Sequence, residues 1–535
     1  MEELQKSSPL SPLTPHWADQ AAVRVIAQKG EKNSYTVASG ITPSGVVHFG
    51  NFREVITVDF VARALRARGK EVRFIYSWDN FDTFRKVPKN VPNPEAFKPY
   101  LRRPIARIPD PWGQEKSYAA SRIKLFENEL KRVGIAPIYF YQEEKYAAGE
   151  YAENIRKTLE NKEKIAEILN RFRKEPLASD WLPTAIYCSK CQSDNTTEER
   201  YLGAWDYSYK CAECGNSETV DIRKSSNIKL AWRCDWPMRW SYEKVDFEPG
   251  GKDHSSEGGS YDTAKDIVKI VWQQEPPVYL QYDFVSIKGG SGKMSSSSGE
   301  LVTLSEVLEI YTPQMVRWIF AGQKPNRDFS IAFDEDVIKT YEEFDKAEKV
   351  ALSAPPEKLG SWPVIRRAYE LSNIEVDLPK SPPFRPAFRD LCSRLQISGG
   401  DINRVFERFY SHLNLSEREK KIFDQRAVCA LNWLNTHAPE QFRYSLRRER
   451  KICAENELQL KALQLLKSIV SDPGFSKMET EQLNQEIYDR IIKGIPIDAK
   501  DFFKSAYQTL VARDQGPRLP SFLKEIGQNR LMELL

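Results

Sequence analysis

Residues 35–76 read YTVASGITPSGVVHFGNFREVITVDFVARALRARGKEVRFIY and decide the fold class of this chain. The run from Tyr35 to Ser39 is β-prone and ends in the turn residues Gly40-Ile-Thr-Pro-Ser-Gly45. An amphipathic helix is predicted from about Phe52 to Arg68, and a second strand from Glu71 to Tyr76. Strand, loop, helix and strand in about forty residues make a βαβ unit, which predicts a parallel sheet.

Length and composition set the broad class of the chain. Its 535 residues are too many for one hydrophobic core, so several domains are expected. Hydrophobic residues make up 41% and charged residues 29%, which is typical of a globular protein and excludes a disordered one. The first residues lack the apolar core of a secretion signal, and no run approaches the ~18 apolar residues of a membrane helix. We therefore expect a cytoplasmic protein that does not bind a membrane.

The pattern predicts an α/β half followed by an all-α half. A net charge of +4 permits a nucleic-acid partner without arguing for one. In the second half, amphipathic helices are predicted near Glu440–Ser471 and Thr480–Lys493. The predicted domains are a lead-in with a helix (1–34), a Rossmann-like parallel-sheet domain (35–353) with an insertion at about 186–223, a proline-rich junction (354–386) and a helical domain (387–535).

Two CxxC pairs in the insertion predict a metal site. Cys188 and Cys191 are separated from Cys211 and Cys214 by 19 residues (192–210), a spacing that suits a zinc ribbon. Four thiolates leave no ligand position open, so we expect one structural Zn²⁺ per chain. The alternative is four reduced, buried thiols.

The loop PSGVVHFGN, which begins at Pro43, follows the first strand and opens the helix. Ligands bind at this position in doubly wound sheets. Gly45 and Gly50 let the backbone approach a nucleotide, and His48 and Asn51 offer donors beside a helix N-terminus, which favours phosphate. On its own, His48 could equally be a hydrogen-bonded residue of an ordinary turn.

A second loop, GGSGKMSSSSG at residues 289–299, carries one cation, Lys293. Attack on an α-phosphate builds negative charge, and a cation that meets this charge in the transition state lowers the barrier. A glycine- and serine-rich loop is a suitable carrier for such a group. The alternative is a flexible linker.

The two loops together resemble the signature motifs of class I aminoacyl-tRNA synthetases, conventionally written HIGH and KMSKS. Here they read His48-Phe-Gly-Asn51 and Lys293-Met-Ser-Ser-Ser297. Asn51 replaces the second histidine and can still donate through its amide. Ser296 replaces the second lysine, which leaves Lys293 as the main phosphate cation of the motif.

In finer detail the chain resembles the class I lysyl-tRNA synthetases over nearly its whole length. The resemblance implies a monomer that activates L-lysine with ATP and Mg²⁺ and transfers it to the terminal adenosine of tRNA-Lys. It also implies that the helical half is a cage-like anticodon-binding domain. The matching segments are HWADQAA (16–22), ASGITPSGVVHFGNFREV (38–55), YSWDNFDTFRKVPKN (76–90), WRCDWPMRW (232–240), GKDHSSEGGSYD (251–262) and KMSSSSG (293–299).

The resemblance also implies roles for individual residues. His48, Asn51 and Lys293 are the expected catalytic residues. A carboxylate must meet the lysine ammonium, and Asp79 and Asp235 both remain candidates. The expected ATP site comprises Pro43, Gly45, His48, Gly50, Asn51, Lys293, Met294, Ser295, Ser296 and Ser297. The expected lysine site comprises Gly40, Thr42, Asp79, Trp232, Asp235 and His254.

The chain departs from many of these relatives after Asp110. They carry a Cys-His pair there, followed six residues later by a histidine, which with the aspartate forms another zinc site. Here Gln114, Glu115 and Ser121 occupy those positions and offer neither thiolate nor imidazole. We therefore expect a single zinc per chain.

Two other functions are compatible with the same motifs. One is a glutamyl- or arginyl-tRNA synthetase, since a specificity pocket rich in arginine or lysine would favour glutamate. The other is a non-catalytic RNA-binding relative that keeps the ribbon and the helical half. The joint presence of His48, Gly50, Asn51 and Lys293 argues against the second.

Overall fold

The computed structural model describes residues 16–290, 301–355, 360–375 and 377–535. The chain divides into two compact units. We call them the sheet unit, which comprises the described residues up to Val307 with Pro313–Ile331 and Val350–Leu378, and the helical unit, which comprises Leu308–Thr312, Ala332–Lys349 and Pro379–Leu535. Among the described residues, no helix is long and apolar enough to cross a bilayer.

The strands all belong to the sheet unit. In the described residues they are β1 (Ser34–Ile41), β2 (Glu71–Trp78), β3 (Ile138–Tyr141), β4 (Thr184–Ile186), β5 (Thr196–Gly203), β6 (Asp206–Cys211), β7 (Ser217–Asp221), β8 (Ile228–Leu230), β9 (Phe247–Gly251), β10 (Val278–Tyr282), β11 (Val285–Ile287) and β12 (Phe329–Ile331).

The α-helices alternate with these strands and then continue without them. The first group is α1 (Trp17–Lys29), α2 (Phe49–Arg66), α3 (Pro94–Phe97), α4 (Tyr118–Arg132), α5 (Gln142–Ala147), α6 (Ala152–Glu160), α7 (Lys162–Asn170), α8 (Trp232–Glu243), α9 (Ser260–Trp272), α10 (Leu304–Ile310), α11 (Pro313–Ala321), α12 (Asp336–Leu352) and α13 (Trp362–Ser372). The second group is α14 (Phe388–Ile397), α15 (Ile402–Phe409), α16 (Glu417–Thr436), α17 (Glu457–Val470), α18 (Thr480–Ile487), α19 (Ala499–Val511), α20 (Leu519–Ile526) and α21 (Gln528–Leu534).

The main sheet is parallel throughout, with strand order β10-β9-β1-β2-β3. β1 and β2 pair in register from Ser34 opposite Glu71 to Ile41 opposite Trp78, which confirms the predicted βαβ unit. The chain first adds β2 and β3 on one side of β1 and later adds β9 and β10 on the other side. The order therefore reverses between β1 and β9, and a crevice opens there beyond the carboxyl ends of the strands.

Several elements of the chain follow one another with little between them. Helices α6 and α7 meet at Asn161. Helices α10 and α11 are separated just before Pro313, because proline lacks the backbone donor of a helix interior. Strand β8 ends at Leu230, and Trp232 opens α8.

The inserted segment is a small antiparallel structure. Strands β5, β6 and β7 form a three-stranded antiparallel sheet, and β4 pairs with β8. The two CxxC turns lie at Cys188–Cys191, just after β4, and at Cys211–Cys214, at the end of β6. The segment therefore returns to the main fold through β8, which leads directly into α8.

The helical unit has its own core, formed by α17 to α21 with buried leucine, isoleucine and phenylalanine side chains. Its α17 begins at Glu457 rather than near Glu440, and residues 443–456 have no regular structure. The basic run Arg443–Lys451 is thus carried by an extended segment and not by a helix face. In the predicted proline-rich junction, the structure has a helix, α13, which belongs to the sheet unit.

Candidate active site

A cavity of about 1050 Å³ lies at the crevice of the sheet unit. Its walls come from the loop between β1 and α2, the segment after β2, the start of α8 and the ends of β9 and β10. Of the sequence-predicted residues in the described chain, those that line the cavity are Gly40, Thr42, Gly45, His48, Gly50, Asn51, Asp79, Trp232 and His254. Pro43 and Asp235 do not line it.

The motif loop is fixed at the N-terminus of α2. The Asn51 carboxamide oxygen accepts a hydrogen bond from the His48 backbone N–H at 3.1 Å, which leaves the Asn51 NH₂ group as a donor. The Phe49 N–H donates to the Val302 carbonyl at 2.7 Å, and the Tyr118 hydroxyl donates to the Ser44 carbonyl at 2.9 Å. These bonds hold the loop against the cavity, where the positive end of the helix favours an anion.

Lys293, Met294, Ser295, Ser296 and Ser297 lie outside the described residues.

Gly40 and Thr42 shape the end of β1. A Cβ atom on Gly40 would lie 2.8 Å from the Ser77 carbonyl oxygen, so only glycine lets the two strands approach this closely. The Thr42 hydroxyl donates to the Asp82 carboxylate at 2.7 Å, and the Lys229 ammonium donates to the same carboxylate at 2.5 Å. Burial alone would raise the pKa of Asp82, but Lys229 outweighs it and holds the pKa below its usual range.

Both aspartates that the sequence offers for the lysine ammonium are already paired with one cation. The Arg239 guanidinium donates to Asp79 at 2.7 Å and lies 3.3 Å from the Asp235 carboxylate. Asp235 also accepts a hydrogen bond from Tyr146 at 2.5 Å, and its side chain is 5% exposed. One buried guanidinium is thus shared by two carboxylates, so each of them already has a cation beside it.

Glu54 is a cavity-lining carboxylate that the sequence analysis missed. It accepts hydrogen bonds from the Tyr282 hydroxyl at 2.7 Å, the Ser39 hydroxyl at 2.8 Å and the Gly40 N–H at 3.1 Å. No ion pair between Glu54 and a lysine or arginine occurs in the described part of the chain. Burial raises the pKa of Glu54, which the hydrogen bonds and nearby His254 oppose.

Glu248, on β9, is a second carboxylate of this kind. The Trp240 indole N–H donates to it at 2.6 Å, and its backbone is fixed between β1 and β10. Burial raises the pKa of Glu248 to about 7. The charge of Glu54 also raises this pKa, whereas hydrogen bonds from the indoles of Trp236 and Trp240 lower it. Neither carboxylate forms an ion pair in the described residues, although the charge of Arg239 also lowers the pKa of Glu248, so the two together could bind a positively charged ligand.

Aromatic rings stand beside these carboxylates. Trp232 and Trp236 are stacked with their centroids 5.3 Å apart, and His254 lies 5.9 Å from Trp236. Trp232 is 38% exposed and lines the cavity. Trp236 lies one turn further along α8 and lines the cavity as well. This wall can cover an aliphatic stem and stabilise an ammonium by a cation–π interaction.

The four cysteines of the insertion come together as a possible metal centre. Their sulfur atoms all lie within 4.8 Å of one another, with 3.6 Å between Cys188 and Cys214 and 3.5 Å between Cys191 and Cys211. Four thiolates in a tetrahedron around Zn²⁺ would be about 3.8 Å apart, given Zn–S bonds of ~2.3 Å. The arrangement is therefore compatible with zinc.

Asp110, the position after which the chain departs from many relatives, contacts the turn that follows it. Its carboxylate accepts hydrogen bonds from the backbone N–H groups of Gln114 at 2.8 Å and Glu115 at 3.0 Å. The Arg122 guanidinium lies 3.6 Å from the centroid of Trp112 in the same turn. Backbone amides and a cation–π contact thus hold the turn, and α4 starts after Ser117, whose hydroxyl caps it.

The helical unit contains a cavity of about 1390 Å³ with a strongly basic lining. Arg530 forms an ion pair with Glu533, whereas the other cations of the lining form no ion pair with an aspartate or glutamate in the described residues. The lining cations are Arg404, Arg408, Arg447, Arg448, Arg450, Lys451 and Arg530, against Glu449 and Glu533 as acids. Such a surface attracts a polyanion.

The family model of class I (K) tRNA synthetases matches residues 15–375 of the chain. The chain belongs to this family of class I tRNA synthetases. It is 46% identical to a lysine–tRNA ligase of Borreliella burgdorferi over 524 residues, which cover 97% of this chain and 99% of that one. A lysine–tRNA ligase of Treponema pallidum is 42% identical, and the match covers 97% of this chain and 98% of that one. A lysine–tRNA ligase of Pyrococcus horikoshii is 39% identical, and the match covers 97% of this chain and 99% of that one. Within class I, the chain thus groups with the lysine–tRNA ligases.

Proposed function

We propose that the protein is a lysine–tRNA ligase that activates L-lysine with ATP and transfers it to the 3′-terminal adenosine of tRNA-Lys. The observation that carries this proposal is a pair of cavity-lining carboxylates that form no ion pair in the described residues, Glu54 and Glu248, in the crevice of a class I chain. An oxygen of the lysine carboxylate attacks the α-phosphorus of ATP, and pyrophosphate leaves. A ribose hydroxyl of the tRNA then attacks the lysyl carbonyl, and AMP leaves.

In this proposal Glu54 and Glu248 bind the ε-ammonium of lysine. The ammonium supplies the charge that the two carboxylates lack, and the Tyr282 hydroxyl fixes the Glu54 carboxylate in position. Trp232 and Trp236 cover the aliphatic stem. A glutamate substrate would bring a third negative charge to the same place, which disfavours the glutamyl alternative.

Asp79 and Asp235 then act through Arg239 rather than on the substrate. Asp235 lies behind the cavity wall, and the Arg239 ion pairs join the ends of β2 and α8 that form the wall. Gly40, Thr42 and His254 line the space between the carboxylates and the motif loop, where the lysine carboxylate and the α-phosphate must meet. These residues position the reacting groups.

The motif loop supplies the phosphate contacts in the proposal. His48 and the free NH₂ group of Asn51 donate to phosphate oxygens beside the N-terminus of α2, and Gly45 and Gly50 let the nucleotide approach. Lys293 and the serines that follow it meet the charge that develops on the departing pyrophosphate. Mg²⁺ accompanies the ATP.

The test is lysine-dependent exchange of pyrophosphate into ATP, measured with and without tRNA. We expect strong exchange with lysine only when tRNA is present, because the chain resembles enzymes that need tRNA before they activate the amino acid. Exchange with glutamate or arginine and not with lysine would overturn the proposal. A Lys293→Ala variant should lose exchange rate far more than equilibrium affinity for lysine, since its contact strengthens in the transition state.

The same proposal assigns the basic cavity of the helical unit to the anticodon arm of the tRNA. Its cations can pair with the phosphates of RNA, and four of them lie on an irregular segment that can follow an RNA backbone: Arg447, Arg448, Arg450 and Lys451. We further propose that the protein acts as a monomer in the cytoplasm, where its tRNA substrate is used.

We also propose that the four cysteines bind one structural Zn²⁺ per chain. A closed set of thiolates gives the small insertion the stability that its core lacks. Elemental analysis of the purified protein should give a zinc ratio near one. The ratio should fall towards zero in a Cys211→Ser, Cys214→Ser variant and stay near one in the control Cys453→Ser. A ratio of two in the unmodified protein would show that the Asp110 turn binds metal as well.

A further inference from the structure

The segment between Phe84 and Val91 adds three cations to the wall of the active-site cavity. Arg85, Lys86 and Lys89 all line the cavity, and all three side chains are exposed. The sequence motifs give them no role, because they lie more than thirty positions after the motif loop. Their charge nevertheless faces the same space as His48 and Asn51.

The two ends of this segment are fixed. The Phe84 N–H donates to the Arg103 carbonyl at 2.7 Å, and the Arg102 N–H donates back to Phe84 at 2.9 Å. The Phe84 ring is 1% exposed and lies 5.4 Å from the ring of Tyr118, while Val91 is 3% exposed. The backbone is thus anchored on both sides of the cations, which limits where they can point.

The three cations have no acidic partner. Neither Arg85, Lys86 nor Lys89 forms an ion pair or a side-chain hydrogen bond in the described residues. Two carboxylates of the same wall pair with other cations instead: Asp79 pairs with Arg239, and Asp82 pairs with Lys229. The flank of the cavity beyond β2 therefore carries uncompensated positive charge.

The opposite flank carries negative charge. Glu248 stands on β9, and Tyr282, which orients Glu54, ends β10, on the other side of β1 in the sheet. A bound ammonium is attracted to that flank and repelled by the one that holds Arg85 and its neighbours. An anion has the reverse preference, so the cavity can orient a ligand that carries both charges.

Phosphate is the anion that this reaction brings to the cavity. The second motif has Ser296 where a second lysine conventionally stands, so it supplies one cation for a departing pyrophosphate. We propose that Arg85, Lys86 and Lys89 form a phosphate subsite of the cavity, which binds the polyphosphate of ATP or the backbone phosphates of the tRNA 3′ end. This inference rests on the proposed function and supplies cations that the motif lacks.

The test uses the full chain with Arg85→Ala, Lys86→Ala, Lys89→Ala and the triple variant. Lys116→Ala is the matched control, because Lys116 is an exposed cation outside the cavity lining. Equilibrium binding of inorganic pyrophosphate is measured first, then the KM for ATP and the KM for tRNA. Lys86→Arg keeps the charge and should retain most of the affinity.

We expect each single alanine variant to weaken pyrophosphate binding about fivefold and the triple variant about a hundredfold. A matching rise in the KM for ATP assigns the subsite to the nucleotide. A rise confined to the KM for tRNA, without a change in pyrophosphate binding, assigns it to the tRNA end. Values for the triple variant that equal those of the control in all three measurements overturn the inference. Pyrophosphate binding needs no aminoacylation, so its loss is readable even if the proposed function fails.

Discussion

A large cavity lies in each compact unit, and the two cavities differ in how their charges are paired. In the sheet unit, three aspartates near the wall share two cations, Arg239 and Lys229, while Glu54 and Glu248 form no ion pair in the described residues. In the helical unit, nearly all the lining cations lack an acid. The two cavities therefore differ in the sign of the charge that has no ion-pair partner in the described part of the protein. The first cavity suits a small cation and a nucleotide, and the second a polyanion.

The largest effect is expected from a Glu54→Gln variant. The amide keeps the size of the side chain but cannot neutralise an ammonium, so kcat/KM for lysine should fall by about a thousandfold. Binding of tRNA should not change. The matched control is Glu144→Gln, an exposed acid of the same unit that lies outside the cavity. A fall of less than about threefold in kcat/KM, judged against measured error, would remove Glu54 from lysine recognition.

The helical cavity can be tested by an Arg404→Ala, Arg448→Ala, Lys451→Ala variant. These side chains form no ion pair in the described residues, so their loss should leave the fold intact. The KM for tRNA should rise about thirtyfold, and the slope of log K against log salt should shrink by about two.

The expected contrast with the sheet unit is that lysine binding stays unchanged in this variant. A control with Lys461→Ala, Lys477→Ala and Lys500→Ala removes the same charge from exposed positions outside the cavity. Equal effects of the two triple variants on tRNA would mean that the cavity is not a specific RNA contact.

A smaller effect should follow pH, because burial raises the pKa of Glu248 to about 7. The ionised carboxylate attracts lysine, so lysine affinity should weaken about tenfold as the pH falls from about 8 to about 6. The stability of the lysine-free protein has the opposite dependence on pH. Glu248 keeps its proton to a higher pH in the folded protein than in the unfolded chain, so the free energy of unfolding falls as the pH rises towards 7. Calorimetric titration of wild type and Glu248→Gln would check this. A variant with the wild-type pH profile would contradict it.

The local sequence predicted the frame of the site well. Glycine and proline residues follow β1 in the sequence and precede the predicted helix. The structure has β1, a loop and α2 in this order, and α2 begins at Phe49. The four cysteines are also local, since each CxxC turn brings two sulfurs together. Short-range signals of this kind do not depend on the rest of the fold.

The local sequence could not predict which charged side chains pair with one another. In the sequence, Glu54 has the position of a surface residue on an amphipathic helix. It becomes a cavity-lining acceptor only through the fold, which brings Tyr282 to it from β10, 228 positions along the chain. One signal was present: Glu54 follows Asn51 by three residues and therefore shares its helix face. The sequence offered Asp235 as a candidate, and only the fold shows that Arg239 lies beside it.

The most direct test of the central claim is aminoacylation of bulk tRNA, measured separately with each of the twenty labelled amino acids. The account predicts that wild-type protein charges tRNA with lysine alone, and that Glu54→Gln loses this activity while it still binds tRNA. Charging with glutamate or arginine, or full lysine charging by Glu54→Gln, would contradict the assignment of the cavity to lysine.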